Sequence, residues 1–106
     1  MKLNIIDRLI LLEILPKQGD FITLSVVKEL ADKINIKEEE FKIYGITRIP
    51  SLDGGTTYKW DDKKAKIEKD FNITDTAQQI ISDAFKTLND QKKLTIGMMG
   101  TYKKFA

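Results

Sequence analysis

The chain has 106 residues, 42% of them hydrophobic and 32% charged, with a net charge of +2 at pH 7, the make-up of one globular domain (1–106) with a core of its own. It contains neither cysteine nor histidine, so disulfides, thiol catalysis, Ser-His-Asp triads and imidazole or thiolate metal sites are excluded within it, leaving carboxylate or lysine chemistry, or binding. The small net charge does not point to nucleic acid: residues 1–62 carry 9 positive and 11 negative side chains and residues 63–106 carry 9 and 5, the mild polarity of a solvated surface.

Residues 3–15, LNIIDRLILLEIL, read as the organising helix. At about 100° per residue, Asn4, Asp7 and Arg8 make a narrow polar stripe, and apolar residues cover most of the remaining circumference. Leu11 and Leu15 fall back on that stripe one and two turns later. A helix this apolar is buried on more than one side, so Leu11 and Leu15 need cover from the C-terminal tail or from a partner. Glu13 falls inside the apolar face. It is expected to pair with a lysine or an exposed amide near the helix end, the sharper alternative being a functional buried acid with a raised pKa. Pro16 stops the helix. No apolar run approaches the roughly 18 residues that span a bilayer, and Asp7, Arg8 and Glu13 interrupt the N-terminal run too early for a signal peptide, so an intracellular protein is expected.

A turn at 17–20 leads to a second amphipathic helix over 24–34, capped by Thr23 or Ser25. Asn35 with Glu38 resembles a capping box opening a short third helix over 36–41, whose N-terminal end suits Glu38, Glu39 and Glu40. The period then changes to two. Residues 43–49 and 56–61 read as strands around a loop at 50–55 with turn chemistry, and a weaker third strand covers 64–71, broken by Lys69. Thr74 or Asn72 caps a last long helix, with Ala77, Ile80, Ile81, Ala84, Phe85 and Leu88 as its stripe. The tail, 94–105, is too apolar for a disordered end and is expected to pack. The fold class expected is α+β, a helical core with a three-stranded antiparallel meander.

The order helix, helix, short helix, hairpin resembles a winged helix, but three consecutive glutamates on the third helix have the wrong sign for DNA phosphates. Lys63, Lys64 and Lys66, near Tyr58 and Trp60, are the better basic-aromatic patch, set against a plain solvated edge protected by lysines. Glu38, Glu39 and Glu40 diverge on a helix and Asp61-Asp62 lacks a calcium-loop pattern, so neither metal nor cofactor is expected. Tyr58 and Trp60 share a strand face and read as core, with a binding hot spot as the alternative. Met98 and Met99, between two glycines, form an adaptable apolar end.

Several features together carry a resemblance: LLEILPKQG at 11–19 followed by FITL, EEEF at 38–41, a central Trp60, an amphipathic last helix, and KKLT at 92–95 before a Tyr-Lys-Lys-Phe end. The combination resembles a group of small uncharacterised proteins of tailed bacteriophages and prophages. The resemblance implies a phage-encoded protein acting in the cytoplasm of the infected bacterial host or in the virion, and carries no functional residues with it. The function expected is non-enzymatic: binding of a host or virion protein partner, with self-association, through Leu11, Leu15, Met98, Met99, Tyr102 and Phe105. The alternative is a winged-helix-like DNA-binding regulator using Lys63, Lys64 and Lys66. An enzyme built on Glu13 or the clustered acids ranks third.

Overall fold

The computed structural model describes residues 1–50 and 52–105; Ser51 of the expected 50–55 loop and Ala106 lie outside them. The fold is α+β. Strand β1 (Lys2–Leu3) leads into α1 (Ile5–Ile14), α2 (Phe21–Ile34) and α3 (Glu38–Ile43). The hairpin β2 (Thr47–Pro50) and β3 (Thr56–Lys59) follows, then a 3₁₀ turn at Lys64–Lys66 and β4 (Lys69–Asp70). Helix α4 (Asp75–Asp90), a second 3₁₀ turn at Ile96–Met98 and α5 (Met99–Phe105) complete it. The expected three-stranded meander is corrected to two antiparallel pairs, β1 with β4 and β2 with β3. The predicted third strand fails because Ala65, fully buried, turns inward on a 3₁₀ turn. Only Lys69 and Asp70 of that stretch form a strand, and they pair with Leu3 and Lys2 rather than with the hairpin.

The helix starts follow local chemistry. Asn4 caps α1 by accepting from the Asp7 amide at 2.8 Å, and Asp7 returns the bond to the Asn4 amide at 3.1 Å, a reciprocal capping box. Asp20 caps α2, three residues earlier than the spacing predicts, by accepting from the amide and hydroxyl of Thr23. This brings Phe21 and Ile22 into its exposed first turn. Thr74 caps α4 as expected. Asn35 ends α2 instead of opening α3, whose Glu40 reaches back to the Lys37 amide.

The main core joins α1, α2, α4 and the tail, with Leu11, Leu15, Val27, Ile34, Ile81, Phe85 and Phe105 in one buried cluster. A smaller cluster of Ile5, Tyr44, Ile46 and Ala65 lies on the other side of α1. Helix α1 therefore serves two layers, as its all-round apolarity requires. Its polar stripe faces inward: Asp7 is 3% exposed and Arg8 1%. Glu13, roughly opposite Leu11 on the helical wheel, is exposed. Glu13 as a buried acid is thus corrected, because the stripe of Asp7, Arg8, Leu11 and Leu15 is the inward one.

Helix α4 ends in a Schellman motif, with the Lys93 amide bonded to the Leu88 carbonyl at 2.8 Å and the Lys92 amide to that of Asn89 at 3.0 Å. The left-handed position is held by Lys92, at φ 57°, where glycine has no Cβ penalty. Lys92→Gly is expected to stabilise the fold by about 0.5–1 kcal/mol, read as a higher urea midpoint; a lower midpoint would show that the Lys92 side chain contributes more than its backbone costs.

Candidate functional site

The hairpin stands against the helices through a sharp turn at its base. Helix α3 closes with the Ile46 amide on the Phe41 carbonyl at 2.8 Å, around Gly45 at φ 63°. A Cβ at Gly45 would lie 3.1 Å from that of Asp61, so glycine is required both for its conformation and for the close approach. Asp61 in turn accepts from the amides of Lys63 and Lys64. With Arg48 paired to Tyr58 across the ladder, Ile46, Arg48, Tyr58 and Trp60 share one face of the hairpin.

That face forms one wall of a cleft of about 280 Å³. Leu9 and Leu12 of α1, Asn35 and Ile36 of the α2–α3 link, and Phe41 of α3 form the rest. The rings of Phe41 and Tyr58 meet edge to face at 6.3 Å between centroids. The Arg48 guanidinium lies over the Phe41 ring at 4.4 Å and donates to Glu38 Oε1 at 2.8 Å. The hydrogen bond to Glu38 raises the Arg48 pKa above its ordinary value against the opposing effect of burial, so the group is cationic throughout. Chemically, the cleft offers aromatic and aliphatic surface with one fixed cation. Among the described residues, neither a lysine nor a carboxylate lines it.

The residues singled out from sequence fall elsewhere. Leu11 and Leu15 are 0% and 3% exposed and are covered within the chain's own core. Phe105 stacks on Phe85 at 6.3 Å, Tyr102 meets it edge-on at 5.6 Å, and Met98 packs on the same cluster. Only Met99 is well exposed, and with Tyr102 and Ile96 it borders a shallow apolar groove on the tail. Lys63, Lys64 and Lys66 are exposed around the 3₁₀ turn and do not line the cleft. Of the aromatic pair, Tyr58 is 40% exposed and borders the cleft, whereas Trp60 is half-buried, packs on the smaller core cluster and lines the cleft as well. Sequence reasoning missed Arg48 and Phe41. The available signal was the alternation itself, which places residue 48 on the face of residue 46.

A second polar constellation is internal. Arg8 forks onto Glu40 with bonds of 2.7 and 2.9 Å and donates to the carbonyls of Ile34 and Asn35 at 2.8 Å each. It also lies over the Phe71 ring at 5.0 Å. The Arg8 bond lowers the Glu40 pKa from 4.5 to about 2, against burial and with help from the Lys37 amide. Asp7 accepts from the Thr101 hydroxyl at 2.5 Å and from the Lys104 ammonium at 2.6 Å. Lys104 also reaches Glu68 at 2.8 Å. Burial lowers its pKa, and the bonds to Asp7 and Glu68 together raise it above the ordinary value. Each group in both sets is matched by a partner, which is the condition for burying charge.

No family model, curated protein or solved structure matches the chain. Among the described residues, no helix is long and apolar enough to cross a membrane, and no group of three or more acidic residues is placed to hold a metal ion.

Proposed function

We propose that this chain is a non-enzymatic binding protein that docks a protein partner in the cleft between its hairpin and α1–α3. The observation that carries the reading is the lining: Phe41, Tyr58, Trp60 and Arg48 around one concavity. Trp, Tyr and Arg are the residue types in which interface energy concentrates, above all in concave, desolvated positions. The opposite reading, an active site, would need an acid–base pair or an activated nucleophile, whereas the described residues of the cleft wall supply aromatic and aliphatic surface with an arginine, the Asn35 amide and the Tyr58 hydroxyl. The resemblance to small phage proteins supports a bacterial host protein or a virion component as the partner. Self-association belongs to the same proposal, and its support is the tail groove of Ile96, Met99 and Tyr102 rather than Leu11 and Leu15.

The test is quantitative capture from a bacterial lysate by the wild-type chain and by Tyr58→Ala and Trp60→Ala, each first checked for an unchanged far-UV spectrum and cooperative unfolding. Loss of a hot-spot side chain costs about 2 kcal/mol or more of binding, roughly thirtyfold. The same captured protein should therefore be depleted in both variants. Equal capture by all three chains would overturn the cleft as the docking site.

A further inference from the structure

The lining of the cleft also constrains what enters it. We infer that the cleft recognises an acidic peptide segment, in which an Asp or Glu side chain pairs with Arg48 while a neighbouring apolar side chain packs against Trp60 and Leu12. This rests on the cleft being the docking site proposed above.

Among the described residues, Arg48 is the only charged side chain lining the cleft, so the complement of the site is a negative group beside an apolar body. Arg48 is already positioned for that role: its guanidinium carbon lies over the Phe41 ring, 4.4 Å from the centroid, and Glu38 accepts from a single terminal nitrogen at 2.8 Å. The side chains of that pair are 51% and 75% exposed, so the pairing is screened by water and is readily exchanged or shared. A ligand carboxylate meets the same guanidinium with a fork-shaped bidentate bond, against the single bond that Glu38 makes.

The carboxylate is assigned to a side chain and not to a chain end. Capture of a chain terminus relies on free backbone N–H groups. Here the Ile36 amide is taken by Asn35 Oδ1 at 3.0 Å and the Ile46 amide by the Phe41 carbonyl at 2.8 Å. With those donors occupied, the recognition falls to Arg48, which stands at the exposed rim and lets a chain continue past it.

The protein carries its own reporter, because Trp60 is its only tryptophan and lies in the cleft wall. An array of acetylated, amidated pentapeptides with one Asp or Glu among Leu, Ile and Phe is titrated against Trp60 fluorescence. Matched arrays replace the acid by Asn or Gln, or carry the only carboxylate at a free C-terminus. The acidic peptides are expected to bind at least tenfold more tightly than their amide counterparts, and Arg48→Gln is expected to abolish that ratio. Equal binding of acidic and amide peptides, lost in Tyr58→Ala, would overturn the acidic specificity and leave the docking site standing. Preference for the free C-terminus would overturn the side-chain assignment. No binding to any array would overturn both.

Discussion

Replacing Arg8 with methionine is expected to cost about 3–5 kcal/mol of folding stability, the usual consequence of removing one member of a buried ion pair. The total for a domain of this size is about 5–15 kcal/mol, so the variant should be marginal or unfolded. Methionine keeps much of the hydrocarbon volume and the contact with Phe71. What it removes is the fork onto Glu40, 4% exposed, and the donors to the last carbonyls of α2. Those carbonyls carry the negative end of the helix and have no partner within it. Arg8→Met with Glu40→Leu should recover part of the loss: an apolar pair of similar volume leaves no uncompensated charge, while the Ile34 and Asn35 carbonyls stay without the Arg8 donors.

The same pair sets the acid behaviour. A glutamate whose folded pKa is depressed to about 2 contributes stability that is full above its unfolded value and is lost as pH falls from about 4.5 toward about 2. The contribution is on the order of 3 kcal/mol. In Arg8→Met the sign should reverse, since a desolvated carboxylate without its cation has a raised pKa and gains stability on acidification. Urea midpoints of wild type and variant across this range measure both. An Arg8→Met chain that loses less than about 1 kcal/mol and keeps the wild-type acid slope would show that the fork does not hold the fold.

Asp7→Ala is expected to cost about 3 kcal/mol and to release the tail. A hydrogen bond to a charged group contributes about 1.5–3 kcal/mol, and Asp7 supplies more than one. It completes the cap with Asn4, accepts from Thr101, which is 1% exposed, and neutralises Lys104. Helix α5 has 7 residues, too few to persist without tertiary contacts. Its amides from 101 to 105 should lose hydrogen-exchange protection to a greater degree than those of α4. If protection in α5 survives, the stacking of Phe105 and Tyr102 on Phe85 holds the tail by itself.

The sequence determined the elements whose signals are local. The stripe of α4 with its Thr74 cap, the α1 stop at Pro16 and the hairpin around its turn residues all depend on periodicity and capping within a few neighbours. So did the α+β class, and so did the expectation that the tail packs. Tertiary structure decided what depends on pairing across the chain. On a helix apolar nearly all round, periodicity defines a polar stripe without saying which way it faces. Asp7 and Arg8 turn inward only because Thr101, Lys104 and Glu40, distant in sequence, meet their charges there. For the same reason Leu11 and Leu15 end in the core, and Glu13, opposite them, ends in water. Ala65 fills the space beside α1 and so bends a predicted strand into a turn. The cleft is a product of these placements: its residues come from α1, the α2–α3 link and the hairpin, and no local pattern in 106 residues brings Leu12, Phe41 and Trp60 around one arginine.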